Sequence, residues 1–174
     1  MVRKVLLVLI IAAVSATGAF AQFSIGGGII TDTAGPAAPV IDFEYSFGKT
    51  SIMWGATFGF YQDTYSYSGS STSYSGSFFG LYVGPSFNVA TVGQWSVYIP
   101  LLLYLNMYGG DSRAEDWDVV IAPGIRAKYA FNKNWSIYTG FGVGFINYTK
   151  HNSNHSTLVI MSGADVVLGF MYKF

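Results

Sequence analysis

The chain has 174 residues, of which 51% are hydrophobic, 18% aromatic and only 10% charged. A soluble domain averages about 25% charged residues, so this composition excludes an ordinary polar surface. The chain contains no cysteine, which excludes a disulfide framework and thiol chemistry. The mature part has no run of about 18 apolar residues, so it lacks a transmembrane helix.

The first 21 residues have the features of a cleavable signal peptide. Arg3 and Lys4 form a basic start, Val5 to Val14 is a short apolar stretch, and Ala19 to Ala21 fits the small-x-small cleavage rule. We predict a signal peptide over 1–21 and a mature domain over 22–174, rather than a retained anchor. Seven basic (9 − 2) and nine acidic residues then remain, so nucleic acid binding is not expected.

The mature chain alternates apolar and small or polar residues with a period of two, which is typical of strands. This pattern predicts an all-β fold, an eight-stranded antiparallel up-and-down transmembrane β-barrel. The eight predicted strands are Phe23 to Ile30, Val40 to Phe47, Ile52 to Tyr61, Ser77 to Phe87, Trp95 to Asn106, Trp117 to Phe131, Trp135 to Asn147 and Met161 to Phe174.

The connections fall into two classes. Three are short, namely Gly48 to Ser51, Asn88 to Gln94 and Asn132 to Asn134, and they alternate with longer, more polar ones. Short turns on one side and long loops on the other indicate a bacterial barrel with its turns in the periplasm. The longest connection, Tyr65 to Gly76, is almost all Ser, Tyr, Gly and Thr, and we predict a flexible surface loop there.

The two faces of the predicted strands differ. One face is broadly apolar, and the other is small and rich in glycine but carries most charges within the strands. An eight-stranded barrel is only wide enough for side chains to fill it, so we predict that these charges meet across the lumen. They are Asp42, Glu44, Arg126, Lys128, Asp165 and Lys173. The alternative is a soluble β-sandwich with these charges in water.

Aromatic residues cluster at strand ends, as expected for the girdles at the two membrane interfaces. Ordinary β-propensity of aromatics does not explain that clustering. We assign most of them to the periplasmic rim and Trp117 to the outer rim. The predicted interface aromatics are Phe47, Trp54, Phe87, Trp95, Trp117, Phe131 and Trp135.

The chain ends in LGFMYKF, with Phe170, Tyr172 and Phe174 on one face. On this pattern it resembles the small eight-stranded outer-membrane barrels such as OmpX, Ail and the OmpA membrane domain. The resemblance implies an outer-membrane location and a C-terminal insertion signal that the barrel-assembly machinery reads. It implies no single function, because such barrels include structural, adhesive, resistance and enzymatic members.

One segment is similar to a catalytic motif. His151 to Asn154 is similar to the His-x-Ser-Asn segment of the lipid A deacylase PagL, which implies His151, Ser153 and Asp165 as candidate catalytic residues. The acid is Asp rather than Glu, and strand parity places His151 and Ser153 outward but Asp165 inward. The alternative is a solvated polar loop, with Asp165 paired to Arg126 or Lys128.

Neither a metal nor a cofactor is predicted. His151 and His155 lie four residues apart, but a loop does not place both on one face, and Asp or Cys ligands are lacking nearby. We interpret the acidic cluster within Gly109 to Asp116 as a solvated loop tip rather than a cation site.

The sequence therefore favours a monomeric barrel with a structural or surface-interaction role and no enzymatic activity. Binding of an extracellular ligand is assigned to the loops, chiefly Tyr65 to Gly76 and Gly109 to Asp116. A narrow pore or conduit for small solutes is the first alternative, because the lumen is lined with glycine. A lipid A deacylase is the second.

Overall fold

The computed structural model describes residues 21–32, 37–67, 70–110, 115–151 and 155–174. The predicted signal peptide lies outside these ranges, apart from its last residue. Eight strands run in chain order: β1 (Ala21–Asp32), β2 (Ala38–Phe47), β3 (Thr50–Tyr67), β4 (Ser70–Val92), β5 (Trp95–Gly110), β6 (Glu115–Ala130), β7 (Trp135–His151) and β8 (His155–Lys173).

Each strand pairs antiparallel with its chain neighbours, and β8 pairs with β1 to close the barrel. The predicted eight-stranded up-and-down barrel is therefore confirmed. Closure leaves no sheet edge along the paired part of the wall, so the backbone groups there are satisfied within the protein. Within the described ranges, no helix is long and apolar enough to cross a membrane.

The outward ends of the strands differ from the prediction. The composition of Tyr65 to Gly76 predicts a flexible loop, but β3 and β4 stay paired up to Tyr67↔Ser70. Thr and Tyr favour strands, and the two segments satisfy each other's backbone groups. The composition resembles that of a loop because both faces of this hairpin lie beyond the apolar band.

Two of the periplasmic turns are shorter than predicted. β4 continues to Val92 through an irregularity between Asn88 and Ala90, so only two residues separate it from β5. Gly48 and Gly93 have φ values of 65° and 59° in these turns. That left-handed conformation favours glycine, which explains its presence at both tight turns.

The outward face is apolar and exposed, whereas the inward face is packed. Exposed outward residues include Ile52, Leu103, Phe141 and Leu168, as lipid-facing positions require. A cluster of buried residues fills the middle of the lumen instead of a channel: Val40, Met53, Tyr82, Leu102, Tyr138, Val167 and Met171.

Two glycines make room for the tyrosines in this cluster. Gly55 is the register partner of Tyr82, and a Cβ at Gly55 would lie 2.3 Å from the Tyr82 hydroxyl. Gly169 is likewise the partner of Tyr138, and a Cβ there would lie 2.5 Å from that hydroxyl. The glycine-rich face of the sequence therefore seats aromatic rings rather than leaving an open bore.

Candidate functional site

The centre of the lumen is organised by the carboxylate of Asp42, which is fully buried. It accepts hydrogen bonds from the hydroxyls of Tyr82 and Tyr138. Arg126 Nη1 donates to Asp42 Oδ1 at 3.4 Å. The Arg126 guanidinium also lies over the Tyr138 ring, 4.6 Å from its centroid. One carboxylate on β2 therefore connects β4, β6 and β7.

A second ion pair joins β2 and β6 two residues further along each strand, toward the end of the barrel that has the short turns. Lys128 Nζ donates to Glu44 Oε2, and Ser46 Oγ donates to Glu44 Oε1 at 2.9 Å. Lys128 Nζ also lies 4.6 Å from the centroid of the Tyr98 ring. The donors around Glu44 offset the cost of burying its charge.

Both ion pairs cross the barrel. The acids are on β2 and the bases on β6, which are four strands apart in either direction around the closed sheet. The structure thus brings together four of the six charges predicted for the lumen, in two pairs. These contacts span the bore at two levels and close it.

The other two predicted charges lie elsewhere on the inner face. Lys173 is near the periplasmic end, in register with the buried Ser24. Asp165 pairs in register with Gly142 on β7 and Asp32 on β1. The ion pairs described above connect Arg126 and Lys128 to β2 rather than to Asp165.

Asp165 borders a small cavity together with Arg126, Tyr82 and Tyr104. The space open to the centre of a water molecule is about 20 Å³. About 10–15 Å³ by this measure holds one water. The cavity therefore has room for a water molecule beside the Asp165 and Arg126 side chains.

Sequence reasoning missed the tyrosines of this network. It assigns Tyr82 and Tyr138 no role, although both lie on the charged face of their strands. The available signal is the glycine at the matching register position of the neighbouring strand, Gly55 or Gly169. That signal needs the strand register, which the sequence alone does not fix.

Among the side chains that the structure describes, two buried serines of the inner face have a hydroxyl without a hydrogen-bond partner. Ser51 and Ser86 are register partners, and the Oγ of each lacks a partner. Each is 1% exposed. A buried hydroxyl without a partner costs about 1–3 kcal/mol, so these positions weaken the periplasmic half of the lumen.

A separate polar group lies at the outer end of the lumen. Asp118 is buried, and its carboxylate accepts hydrogen bonds from Asn106 Nδ2 at 2.8 Å and the Tyr108 hydroxyl at 3.0 Å. Thr149, its register partner on β7, is also buried. These donors are neutral, so the negative charge of the carboxylate is solvated by dipoles.

Of the candidate catalytic residues, His151 and Asp165 lie far apart along the wall of the barrel. Ser153 lies outside the described residues, and Asp165 is in register with Gly142, nine positions along β7 from His151. At about 3.3 Å per residue, this corresponds to roughly 25–30 Å along the strand. An acid at that distance does not orient the base of a triad.

The alternation of faces along β7 changes near Ile146. The register of β7 and β8 shifts between Gly144 and Ile146, and such a bulge reverses the alternation beyond it. Thr149 is consequently buried while Tyr148 and Lys150 are exposed. The side chain of His151 lies outside those that the structure describes, so the outward face assigned to it stays a prediction.

The predicted interface aromatics form ring contacts near the periplasmic end. The ring centroids of Trp95 and Tyr129 lie 5.0 Å apart, as do those of Trp135 and Tyr172. Further contacts join Tyr172 to Phe174, Phe174 to Phe23, Phe23 to Trp54, Tyr129 to Phe131 and Tyr45 to Phe47. These rings form a nearly continuous band.

Two other predicted aromatics stand apart from this band. Phe87 is exposed on the outer face of β4, opposite Thr50. Trp117 lies at the other end of the barrel, with its ring 5.6 Å from that of Tyr148. Trp117 therefore lies at the end of the barrel opposite the short turns, and its role at a membrane interface stays a prediction.

Among the described side chains, no three His, Asp or Glu residues come together as a group able to hold a metal ion. The organised polar chemistry of the described residues is thus the lumen network and the Asp118 group.

The fold is similar to those of solved outer-membrane proteins. A major outer membrane protein of Thermus thermophilus matches with a TM-score of 0.64 and 14% identity, covering 88% of this chain and 99% of that one. Outer membrane protein W of E. coli matches with a TM-score of 0.54 and 10% identity, covering 88% and 97%. The N-terminal β-barrel domain of Pseudomonas aeruginosa OprF matches with a TM-score of 0.51 and 13% identity, covering 88% and 97%.

No protein-family model matches the sequence, and no match to a curated protein was found. At identities of 10–14%, the similarity establishes the fold and leaves activity open. By fold, the chain is an eight-stranded antiparallel barrel similar to the barrels of these outer-membrane proteins.

Proposed function

We propose that this chain is a non-catalytic barrel of the outer membrane that binds a partner through the β3–β4 hairpin. The observation that carries the proposal is the length of this hairpin. β2 pairs with β3 only up to Val40↔Thr57, and β4 pairs with β5 only up to Gly76↔Gly110. Beyond Gly76, β3 and β4 form six further pairs with each other, from Gln62↔Ser75 to Tyr67↔Ser70.

The two faces of this ribbon have different compositions. Two sets of register pairs alternate along the ribbon. The set called the tyrosine face comprises Tyr61, Asp63, Tyr65, Tyr67, Ser70, Thr72 and Tyr74. The pairs between them comprise Gln62, Thr64, Ser66, Ser71, Ser73 and Ser75. Tyrosine provides a large contact area at low conformational cost, and serine provides adaptable hydrogen bonding, as in antibody paratopes.

The charge of this region narrows the class of partner. Residues 50–112 contain no Lys or Arg, and Asp63 is the one charged residue of the ribbon. A polyanion is bound chiefly through basic residues, so it is disfavoured. A neutral partner, such as an uncharged glycan or an apolar and polar protein surface, suits the tyrosine face.

The barrel itself would anchor the β3–β4 hairpin in the membrane and hold it in a fixed position. Its apolar outward face suits a bilayer, and the aromatic band suits the periplasmic interface. We propose that the chain acts as a monomer, inserted by the barrel-assembly machinery through the segment that ends in Phe170, Tyr172 and Phe174. The two ion pairs across the lumen disfavour the pore or conduit alternative.

The test is a binding screen with a matched pair of variants. Refolded, fluorescently labelled protein is applied to arrays of neutral and anionic glycans and of extracellular proteins. We expect binding that is lost in the Tyr65→Ser/Tyr67→Ser/Tyr74→Ser variant and kept in the Ser71→Ala/Ser73→Ala/Ser75→Ala variant. Equal binding by both variants, or binding that survives replacement of 62–75 by a two-residue turn, would refute the role of the hairpin.

A further inference from the structure

Acidic and basic residues are divided unevenly between the two ends of the barrel. The end that has the β2–β3, β4–β5 and β6–β7 turns, called the short-turn end, carries Lys49, Lys133 and Lys173. None of the nine acidic residues of the chain lies in its segments, 21–25, 45–52, 86–97, 129–137 and 170–174. Six acidic and two basic residues lie in the segments of the other end, 31–39, 58–80, 106–120 and 146–164.

The lysines of the short-turn end are not neutralised by the ion pairs described above. The two salt bridges found among the described residues lie inside the lumen and use Arg126 and Lys128. Lys49 and Lys133 are exposed, whereas Lys173 is half-buried at the mouth of the lumen. Lys49 and Lys133 therefore present positive charge to the surroundings of the barrel.

Both exposed lysines belong to tight turns that fix their position. The backbone N–H of Asn88 donates to the carbonyl oxygen of Lys49 at 2.7 Å, which ties the β2–β3 turn to β4. In the β6–β7 turn, which contains Lys133, the Asn132 Oδ1 accepts hydrogen bonds from two backbone N–H groups, each at 2.9 Å. The two backbone positions are thus set by the fold, and only the lysine side chains are free to move.

Each exposed lysine lies next to the aromatic band. Phe47 precedes the turn that contains Lys49, and Phe131 and Trp135 flank the turn that contains Lys133. The exposed fractions of these three aromatic side chains range from 38% to 50%. Aromatic belts lie at the level of the lipid headgroups, and a lysine beside such a belt keeps its ammonium group in the polar layer. The two ammonium groups are therefore at the depth of lipid phosphates.

The two lysines are also far from each other. The β2–β3 and β6–β7 turns lie on opposite sides of the barrel, because four strands separate them in either direction around the closed sheet. A single lipid headgroup cannot contact both turns. Each lysine must consequently act on its own lipid.

We propose that Lys49 and Lys133 each bind the phosphate headgroup of an anionic phospholipid in the leaflet around the short-turn end. Lys173 adds to the positive potential of this end without contacting the lipid. The ligand is a lipid and not a soluble phosphate, because the rings beside each lysine suit acyl chains and headgroups together. The inference requires that the barrel spans a bilayer, and it does not depend on the function proposed for the β3–β4 hairpin.

The test identifies the lipids next to one end of the refolded barrel. Lipids with brominated acyl chains quench tryptophan fluorescence, so mixtures of brominated phosphatidylglycerol and phosphatidylcholine give the relative binding constant of the anionic lipid near a chosen ring. A chain that keeps only Trp135, two residues from Lys133, reports on that turn, and a chain that keeps only Trp117 reports on the other end. We expect phosphatidylglycerol to be preferred about two- to fivefold at Trp135 and not at Trp117. High salt should reduce the preference.

Matched variants separate a local contact from the overall charge of this end. Lys133→Gln should abolish the preference at Trp135, whereas Lys133→Arg should keep it. Lys49→Gln removes the same charge from the same end but on the opposite side of the barrel, so it should leave the preference at Trp135 unchanged. Circular dichroism confirms that each variant is folded.

The chain with all four tryptophans provides a second measurement that requires no tryptophan replacement. Three of its tryptophans, Trp54, Trp95 and Trp135, lie near the short-turn end, and its preference for phosphatidylglycerol should be lost in Lys49→Gln/Lys133→Gln and kept in Lys150→Gln. Absence of a preference in the unmodified protein, or a preference that survives the double substitution, would overturn the proposal. Equal losses at Trp135 in Lys133→Gln and Lys49→Gln would also overturn it, because they would show a response to total charge.

Discussion

Asp42 is the acceptor on which the polar contacts of the mid-lumen converge, because Tyr82, Tyr138 and Arg126 all donate to it. Removing one partner of a buried ion pair leaves the other charge uncompensated, at a cost of about 3–5 kcal/mol. Asp42→Ala should therefore lower the free energy of unfolding by about that amount. Equilibrium unfolding by urea in lipid vesicles, followed by tryptophan fluorescence, measures it.

A double variant separates the interaction energy between Asp42 and Arg126 from the loss of stability that each substitution causes by itself. With Asp42→Ala and Arg126→Met together, no charge is left unpaired, so the loss should be clearly smaller than the sum of the two single losses. Strict additivity of the two substitutions would show that Asp42 and Arg126 do not interact.

The unpartnered serines predict a gain in stability. Ser51 and Ser86 each bury a hydroxyl without a partner, so Ser51→Ala should raise the free energy of unfolding by about 1 kcal/mol. Ser46→Ala is the matched control, because its hydroxyl donates to Glu44 and its loss should destabilise by a similar amount. Loss of stability in Ser51→Ala would mean that its hydroxyl does have a partner.

Gly55 of β3, which lies opposite a tyrosine, and Gly27 of β1, which does not, should respond differently to replacement by alanine. A Cβ at Gly55 would lie 2.3 Å from the Ile41 carbonyl oxygen and from the Tyr82 hydroxyl, so Gly55→Ala should cost about 1–3 kcal/mol through overpacking. At Gly27, the nearest atom would be 3.5 Å away, and Gly27→Ala should be nearly neutral. The same unfolding experiment compares them, and equal losses would contradict the seating of Tyr82 by Gly55.

At the scale of strands, the sequence determined the number and order of elements better than their ends. The period-two pattern is strong where one face meets lipid and the other meets the lumen, as in Leu101 to Leu105. It disappears in the β3–β4 ribbon, where neither face is apolar, although Tyr67 and Ser70 are still paired. The alternation of apolar and polar residues shows only that the two faces of a strand meet different surroundings. Where both faces meet the same surroundings, it cannot show that two strands are paired.

The same limit explains the outcome for the site residues. The alternation of faces along a strand was enough to place Asp42, Glu44, Arg126 and Lys128 on one face. It holds because no bulge lies between Asp42 and Glu44 on β2 or between Arg126 and Lys128 on β6. Beyond the bulge near Ile146, parity fails for Thr149, which is buried, and the bulge carries no clear sequence signal. Contacts across the lumen, such as those of Tyr138, depend on register and shear and were beyond the sequence.

The bulge in β7 predicts a reversal of faces that labelling can detect. The chain has no cysteine, so single cysteines report cleanly. Beyond the bulge, Thr149→Cys should resist a membrane-impermeant thiol reagent, because Thr149 is 6% exposed. Lys150→Cys should react readily at its exposed position. Reversed reactivity of the two variants would contradict the reversal of faces beyond the bulge.

At the scale of the whole molecule, the filled lumen predicts a barrel that does not conduct. Two ion pairs span the bore, and Tyr138 and Met53 are among the largest fully buried side chains beside them. The refolded protein should therefore show no steady single-channel current in a planar bilayer. Protease protection of the inserted protein confirms that a silent bilayer contains folded barrels.

Removing the rings that fill the lumen should change this result. Tyr82→Gly/Tyr138→Gly deletes the two side chains that join Asp42 from opposite walls and leaves Asp42 and Arg126 facing a wider bore. We expect a small, steady conductance in this variant and none in Tyr148→Ala, which removes an outward tyrosine from β7. Steady current through the unmodified protein would make transport the better account of the lumen. Silence of the ring-deleted variant would show that the two ion pairs alone keep the barrel closed.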